Sequence, residues 1–204
     1  MEITLEILEK VGIKQENAQK YIDFINQNFK TFNFSRENII HFLSQCIYES
    51  NWFTEIEENM NYSAERLLEV FPTHFNEEEA QECAHNPQKI ANKVYGGRYG
   101  NNCVNDGWLY RGKGLIQITF KNEYLNVGNF SGVSDQFVKN PDMLLQPRYA
   151  VLSAFGFWKM KNINQFNKVD ELNCKIVTEK VNGGLNGFSE RLKLMNQLNE
   201  LISE

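Results

Sequence analysis

The residues with most chemistry in this chain are glutamates, one at the end of a helical pattern and more in the segment that follows it. The run Gln45-Cys46-Ile47-Tyr48-Glu49-Ser50-Asn51-Trp52-Phe53 closes that pattern, and Glu55, Glu57 and Glu58 come directly after. At roughly 100° per residue, Glu49 falls near Phe42 and Cys46, on the edge of the stripe formed by Ile39, Leu43 and Ile47. A carboxyl on that edge, beside Trp52 and Phe53, is expected to be partly desolvated. Desolvation is what keeps a carboxyl protonated near neutrality, as a general acid requires. Cleavage of a glycosidic bond needs a protonated carboxyl on one side and an ionised one on the other, about 6.5–9.5 Å apart when a water must fit between. A helix-end glutamate and a loop glutamate nine positions on satisfy that demand by spacing. By position alone, Glu49 also fits a salt-bridged helix end, and Glu55 to Glu58 a solvated acidic turn.

Other chemistries find less support. The four cysteines, Cys46, Cys83, Cys103 and Cys174, form no CxxC and no Cys/His cluster, which reads as reduced thiols. His41, His74 and His85 show no HExxH spacing, so a zinc hydrolase is not expected, and hydrolysis by paired carboxylates implies neither a metal nor an organic cofactor. Twenty-six acidic against 21 basic residues give a net charge of −5, the wrong sign for a protein that coats nucleic acid. No run approaches the 18 apolar residues of a membrane span, and Met-Glu-Ile-Thr-Leu-Glu lacks the basic start of a secretory signal. The 204 residues suit one domain, with 42% hydrophobic and 23% charged residues in the globular range. Fifteen Phe, eight Tyr and three Trp are an aromatic surplus available either to a core or to ligand stacking.

The elements that must position the glutamates read as mainly α. Leu5, Ile7, Leu8 and Val11 mark a first helix stopping at Gly12, and residues 15–29 a second. Ser35 caps a third through Ile47, and Ser63 a fourth that ends before Pro72. Asn76 before Glu77-Glu78-Glu79 looks like a capping box, and Asn86-Pro87 opens a sixth helix with proline at its first position. From Tyr95 to about residue 120 the texture is glycine-rich loop, with one short extended piece from Leu115 to Phe120. Helical spacing returns in Tyr149–Met160, Val169–Val181 and Ser189–Ile202, the last two interrupted by Asn182-Gly183-Gly184. Phe155, Phe157 and Trp158 read as core.

The ordered motifs are specific where single residues are not. His41-Phe42-Leu43 through Tyr48-Glu49-Ser50, Glu58-Asn59, Asn61-Tyr62-Ser63-Ala64, Phe71-Pro72 with Phe75, and Ile90-Ala91-Asn92 with Tyr95-Gly96-Gly97-Arg98 come first. Asp106-Gly107-Trp108, Arg111-Gly112-Lys113-Gly114-Leu115-Ile116-Gln117-Ile118-Thr119, Asn140-Pro141 and Asn182-Gly183-Gly184 follow. Together they resemble glycoside hydrolase family 19, with its lysozyme-like helical fold, and within it the short phage-type endolysin branch. The resemblance spans about residues 1–200 and implies a single catalytic domain over 1–204, with no separate wall-binding module. It implies that Glu49 is the general acid, that Glu58 activates water for single displacement, and that Thr119 helps hold that water. Glu55 and Glu57 are the fallback bases. Gln117, Asn182 and Arg191 match cleft residues that bind sugar or order the carboxylates. Tyr62, Tyr95 and Trp108 are candidates for stacking on sugar faces. Arg98, Arg111 and Lys113 are candidates for a basic patch toward an anionic glycan. Two positions depart from the family pattern: Tyr48 where many relatives have His, and Lys113 where they commonly have Arg.

The function this implies is hydrolysis of β-1,4 bonds in bacterial peptidoglycan by a monomeric, lysozyme-type endolysin. Such an enzyme would be made in the host cytoplasm without a signal peptide and would reach the wall after a holin opens the membrane. No nucleic-acid partner and no stable membrane association are expected. A chitinase acting on N-acetylglucosamine polymers is the rival with the same chemistry. An inactive glycan-binding protein on the same scaffold is the rival of another class.

Overall fold

The computed structural model describes residues 1–202 of the chain. Helices α1 (Leu5–Lys10), α2 (Gln15–Thr31) and α3 (Arg36–Glu49) come first. Thr4 accepts the Ile7 amide at the head of α1, and Ser35 and Asn38 form a reciprocal capping box on α3. Every residue from Asn38 to Ile47 is buried. A helix covered on all sides lies inside a domain rather than on it, so α3 is the axis about which the larger core is built.

Helices α4 (Ala64–Val70), α5 (Glu77–Cys83) and α6 (Pro87–Tyr95) open on Ser63, Asn76 and Asn86. Each of these caps accepts a hydrogen bond from the amide three residues on, as short polar caps should. The three helices gather a separate small core of Met60, Leu67, Phe75, Ile90 and Val94, against which Tyr62, Tyr95 and Trp108 pack. A one-turn helix, α7 (Asp106–Leu109), lies against α6.

The chain then returns to the large core through α8 (Lys121–Phe130), α9 (Gln136–Lys139), α10 (Pro147–Met160), α11 (Glu171–Asn182) and α12 (Phe188–Leu201). Two 3-10 turns, Pro141–Leu145 and Ile163–Gln165, flank α10. At the centre, Phe42 of α3 meets Phe155 of α10 with ring centroids 4.1 Å apart, and Phe34 and Trp158 complete the cluster. Phe155, Phe157 and Trp158 are buried there as their spacing requires.

The structure differs from the sequence reading at two places. The extended piece from Leu115 to Phe120 forms no strand: among the described residues the only β pairing is isolated, Glu57 with Lys113 and Lys113 with Ile118. Helices α7, α8 and α9 fall where loop or nothing regular was read. α8 lacks a side-chain cap and buries only Tyr124, Val127 and Gly128 in a polar stretch, so its periodicity is thin. All four cysteines are free thiols.

Candidate active site

The two cores leave a seam, and the carboxylates lie along it. Glu49 is the last residue of α3, so its position is inherited from the most deeply buried helix in the molecule. Its Oε1 accepts from Arg191 Nη2 at 2.5 Å and from Asn182 Nδ2 at 3.3 Å. Arg191 is itself wholly buried and fully used. Nη1 donates to Gln45 Oε1 at 2.6 Å, Nε donates to the Asn186 carbonyl at 3.1 Å, and the guanidinium lies 4.4 Å from the centre of the Tyr48 ring. Gln45 sits one turn before Glu49 on the same face of α3 and is fixed from its other end by Thr178 at 3.2 Å. Gly187, at the head of α12 with φ +67°, leaves the space that Tyr48 fills. A Cβ there would stand 2.1 Å from Tyr48 Cζ.

This is not the environment expected for Glu49. Trp52 and Phe53 do not wall it off. The Trp52 indole donates to the Val11 carbonyl at 3.0 Å, and Phe53 packs on Tyr21 at 5.1 Å in the large core. Glu49 lies instead against a cation, Arg191. Trp52 and Phe53 serve a different purpose. Asn51, Trp52 and Phe53 all have positive φ (46°, 55° and 62°), a left-handed turn costing L-residues about 1–2 kcal/mol each. It is locked by Ser50, whose hydroxyl donates to the Cys46 carbonyl and accepts from the Phe53 amide. Strain held this firmly concentrates at functional sites. Here it reverses the chain so that the following loop comes back alongside Glu49.

That loop presents Glu58. Its Oε1 accepts from the Tyr95 hydroxyl at 2.6 Å and its Oε2 from the Gly112 amide at 3.0 Å, while its own amide donates to the Gly112 carbonyl. Burial and the Glu58 charge push the Tyr95 phenol far above its usual range, so Tyr95 remains a donor. Glu57 is engaged elsewhere, paired with Arg111, and Glu55 is exposed and accepts from Asn51. Of the three loop carboxylates, Glu58 alone is held by a phenol and a backbone amide. Glu49, Glu58, Tyr62 and Gln117 line one cavity of about 490 Å³.

Two further cavities adjoin it. One of about 290 Å³ lies at Trp108 and Arg111 and shares Glu57, Glu58 and Asn59 with the first. The other, of about 1020 Å³, is lined by Thr119 and Asn182 together with Arg98, Glu123 and Lys161. Thr119 thus faces the large cavity, its hydroxyl donating to the Gln117 carbonyl at 3.0 Å. Its amide donates to Glu123, whose carboxyl burial raises above the usual range, with the Thr119 bond and the Lys161 charge opposing.

Two expected residues land elsewhere. Lys113 is completely buried and turned away from the cleft: its Nζ donates to the Leu109 carbonyl at 2.8 Å and pairs with Asp142 at 2.7 Å. Arg111 stacks on Trp108 with its guanidinium 3.5 Å from the ring centre and spends its charge on Glu57. The basic patch of Arg98, Arg111 and Lys113 therefore does not exist as a unit, and of these three only Arg98 reaches a cavity as an exposed cation without an acidic partner among the described residues. Arg191, expected to bind sugar or to order the carboxylates, is wholly buried and pairs with Glu49, so of the two it orders a carboxylate. Sequence reasoning missed Gln45, Glu123 and the Tyr48–Gly187 contact. Gln45 was findable, since a polar residue four before Glu49 shares its face.

No family model matches the chain. Over 160 residues it is 37% identical to a protein of Haemophilus influenzae described as a glycosyl hydrolase family 19 domain-containing protein, covering 77% of this chain and 76% of that one. Among solved structures, chitinase C of Streptomyces griseus superposes with a TM-score of 0.57 at 13% identity, covering 98% of this chain and 91% of the other. A bacterial family 19 chitinase gives 0.52 at 15% identity, over 96% and 94%. These two superpositions speak to the fold, which is the mostly helical one of that family.

Proposed function

The chain belongs to glycoside hydrolase family 19, and from that premise we propose that it hydrolyses β-1,4 bonds of peptidoglycan with Glu49 as general acid and Glu58 as general base. The observation that carries the assignment is the shared cavity, into which both glutamates open, each immobilised by its own directed partners. In this reading Glu49 protonates the leaving oxygen. Glu58, acceptor of two strong donors, keeps lone pairs aimed at a water on the opposite face of the sugar. Gln117 lies in the same cavity and is available to a sugar amide, while Tyr62 offers an apolar edge. Direct displacement by water inverts the anomeric centre.

Arg191 and Asn182 fix the acid, and removing either misplaces it. A 1 Å error in such a contact costs on the order of a hundredfold in rate. Thr119 reaches the reacting water only if that water sits toward the larger cavity. The second reading, chitin as substrate, is favoured by the names of the two solved structures and uses the same atoms.

The test is digestion of purified peptidoglycan and of colloidal chitin by wild type, Glu49→Gln and Glu58→Gln. New reducing ends from peptidoglycan, lost in both variants, support the reading. Free amino groups without reducing ends would mean amide cleavage and would sink it. Activity confined to chitin would replace the substrate while leaving the catalytic pair intact. Near-normal turnover in Glu58→Gln, with loss in Glu57→Gln or Glu55→Gln, would move the base.

A further inference from the structure

The cleft is electrically divided. The cavity at the reacting carboxylates holds four acidic side chains, Glu49, Glu55, Glu57 and Glu58. The cavity next to it, lined by Asn182 and Thr119, is more than twice as large and holds Arg98 and Lys161. Neither cation forms an ion pair among the described residues, in contrast to Arg111, Lys113 and Arg191, which are all matched to carboxylates. Both are exposed. Arg98 is nonetheless oriented, with its guanidinium 5.5 Å over Phe120 and an Nη1 bond to the Val94 carbonyl. The one acidic residue on that side, Glu123, is partly buried and its carboxyl is biased toward the neutral form by desolvation. Asn122 and Asn126 add amide donors and acceptors on the same wall.

An uncharged N-acetylglucosamine polymer has no use for two unpaired cations beside its reacting bond. Peptidoglycan does have a group for them, because its lactyl ether carries a short peptide rich in carboxylates. We infer that the cavity between Arg98 and Lys161 is a stem-peptide site, binding peptide carboxylates through those two cations while the sugar backbone lies across Glu49 and Glu58. The geometry that assigns it is the continuity at Asn182, which lines the large cavity and donates to Glu49. A substituent on the reacting sugar is thereby led from the acidic cavity into the basic one. The inference rests on the peptidoglycan reading and adds to it that the peptide is recognised as well as the sugar.

Exposed ion pairs are each worth a factor of a few, so two together give about a tenfold preference. The experiment compares intact peptidoglycan with the same strands stripped of peptide by an amidase, reading reducing ends at low and high salt. Wild type is expected to show about tenfold higher kcat/KM on intact strands, mostly through KM, shrinking as salt screens the pairs. Arg98→Gln/Lys161→Gln should lose that preference. In a direct binding assay, N-acetylmuramyl dipeptide should shift backbone amides of Tyr99, Asn122 and Lys161 in wild type and not in the double variant. Equal cleavage of intact and stripped strands by wild type would overturn the peptide site and leave the peptidoglycan reading standing. A preference unchanged in the double variant would also overturn it. No cleavage of either, with activity on chitin retained, would overturn the substrate reading and the peptide site with it.

Discussion

Replacing Arg191 by methionine removes the cation that holds Glu49 and should be the most damaging single change near the site that creates no clash. Methionine roughly fills the volume, so the loss is of charge and hydrogen bonds. Taking away one partner of a buried pair costs about 3–5 kcal/mol, because the other charge stays behind. Glu49 is 16% exposed, so water recovers some of that and the lower end applies. The buried Gln45 side chain also loses its donor, at about 1 kcal/mol, while the carbonyl of the exposed Asn186 is left to water. The expected total is about 4 kcal/mol. For a chain of this length that lowers the unfolding midpoint by about 8–16 °C. Thermal unfolding followed by circular dichroism at pH 7 measures it. The decisive control is Glu49→Gln added to Arg191→Met, which removes the stranded charge and should return about 1–2 kcal/mol. A fall of less than about 3 °C in Arg191→Met, or a double variant less stable than the single one, would refute the view that this arginine neutralises Glu49.

Other perturbations follow from single distances. Gly112→Ala places a Cβ 2.6 Å from Gln117 Oε1 and 3.3 Å from Glu58 Oε2. Glycan hydrolysis should fall about 10–100-fold, with the far-ultraviolet spectrum unchanged; full activity would mean that Glu58 and Gln117 tolerate the added methyl group. Gly187→Ala combines φ +67° with a Cβ 2.1 Å from Tyr48 Cζ, so it should cost about 2 kcal/mol or more and reduce kcat. Tyr48→Ala in the same chain should restore stability in part, and no restoration in urea titrations would dissociate the two residues. His41 is buried, with Nε2 on the Lys168 carbonyl at 2.8 Å, and desolvation holds its pKa below the usual value against the weaker pulls of that carbonyl, Asp170 and Glu37. Between the lowered folded value and about 6.5 the unfolded chain binds more protons, so stability falls as pH drops through that window. Urea midpoints at pH 7.5 and 5.5 should differ less in His41→Gln than in wild type.

Much of the framework was legible in the sequence because it is written in local signals. Ser35, Ser63, Asn76 and Asn86 cap the helices they were expected to open, and Asn86-Pro87 starts α6 at its first turn. The resemblance implied that Arg191 binds sugar or orders the carboxylates, and it pairs with Glu49. What failed to show was direction. Lys113 lies between two glycines in a loop, where cation and solvent usually go together, yet its backbone is bridged to Glu57 and Ile118 and its side chain is buried on its way to the exposed Asp142. Arg111 was countable as positive charge, but its neutralisation by Glu57 depends on a contact across 54 residues. Glu123 gave no signal because α8 carries almost no amphipathic pattern, and the Tyr48–Gly187 contact joins residues that only the tertiary fold brings together.

The burial of Lys113 makes physical sense once its backbone is considered with its ammonium. A buried cation is a poor source of stability, and burial pushes this ammonium below its usual pKa. Its geometric effect is larger. With Nζ fixed on Leu109 and Asp142, and its backbone bridged to Glu57 and Ile118, Lys113 pins the Gly112–Gly114 segment. The Gly112 amide that Glu58 uses belongs to that segment. Glu49 is fixed by the large core through α3, α11 and α12, whereas Glu58 is fixed by Tyr95 from the small core and by this pinned loop. The two carboxylates are therefore held by different sets of contacts, joined along the chain by the left-handed turn at Asn51–Phe53 and braced by the bridge at Lys113. On the proposed catalytic pairing, holding that arrangement matters more than the few kcal/mol that an apolar residue at 113 would add.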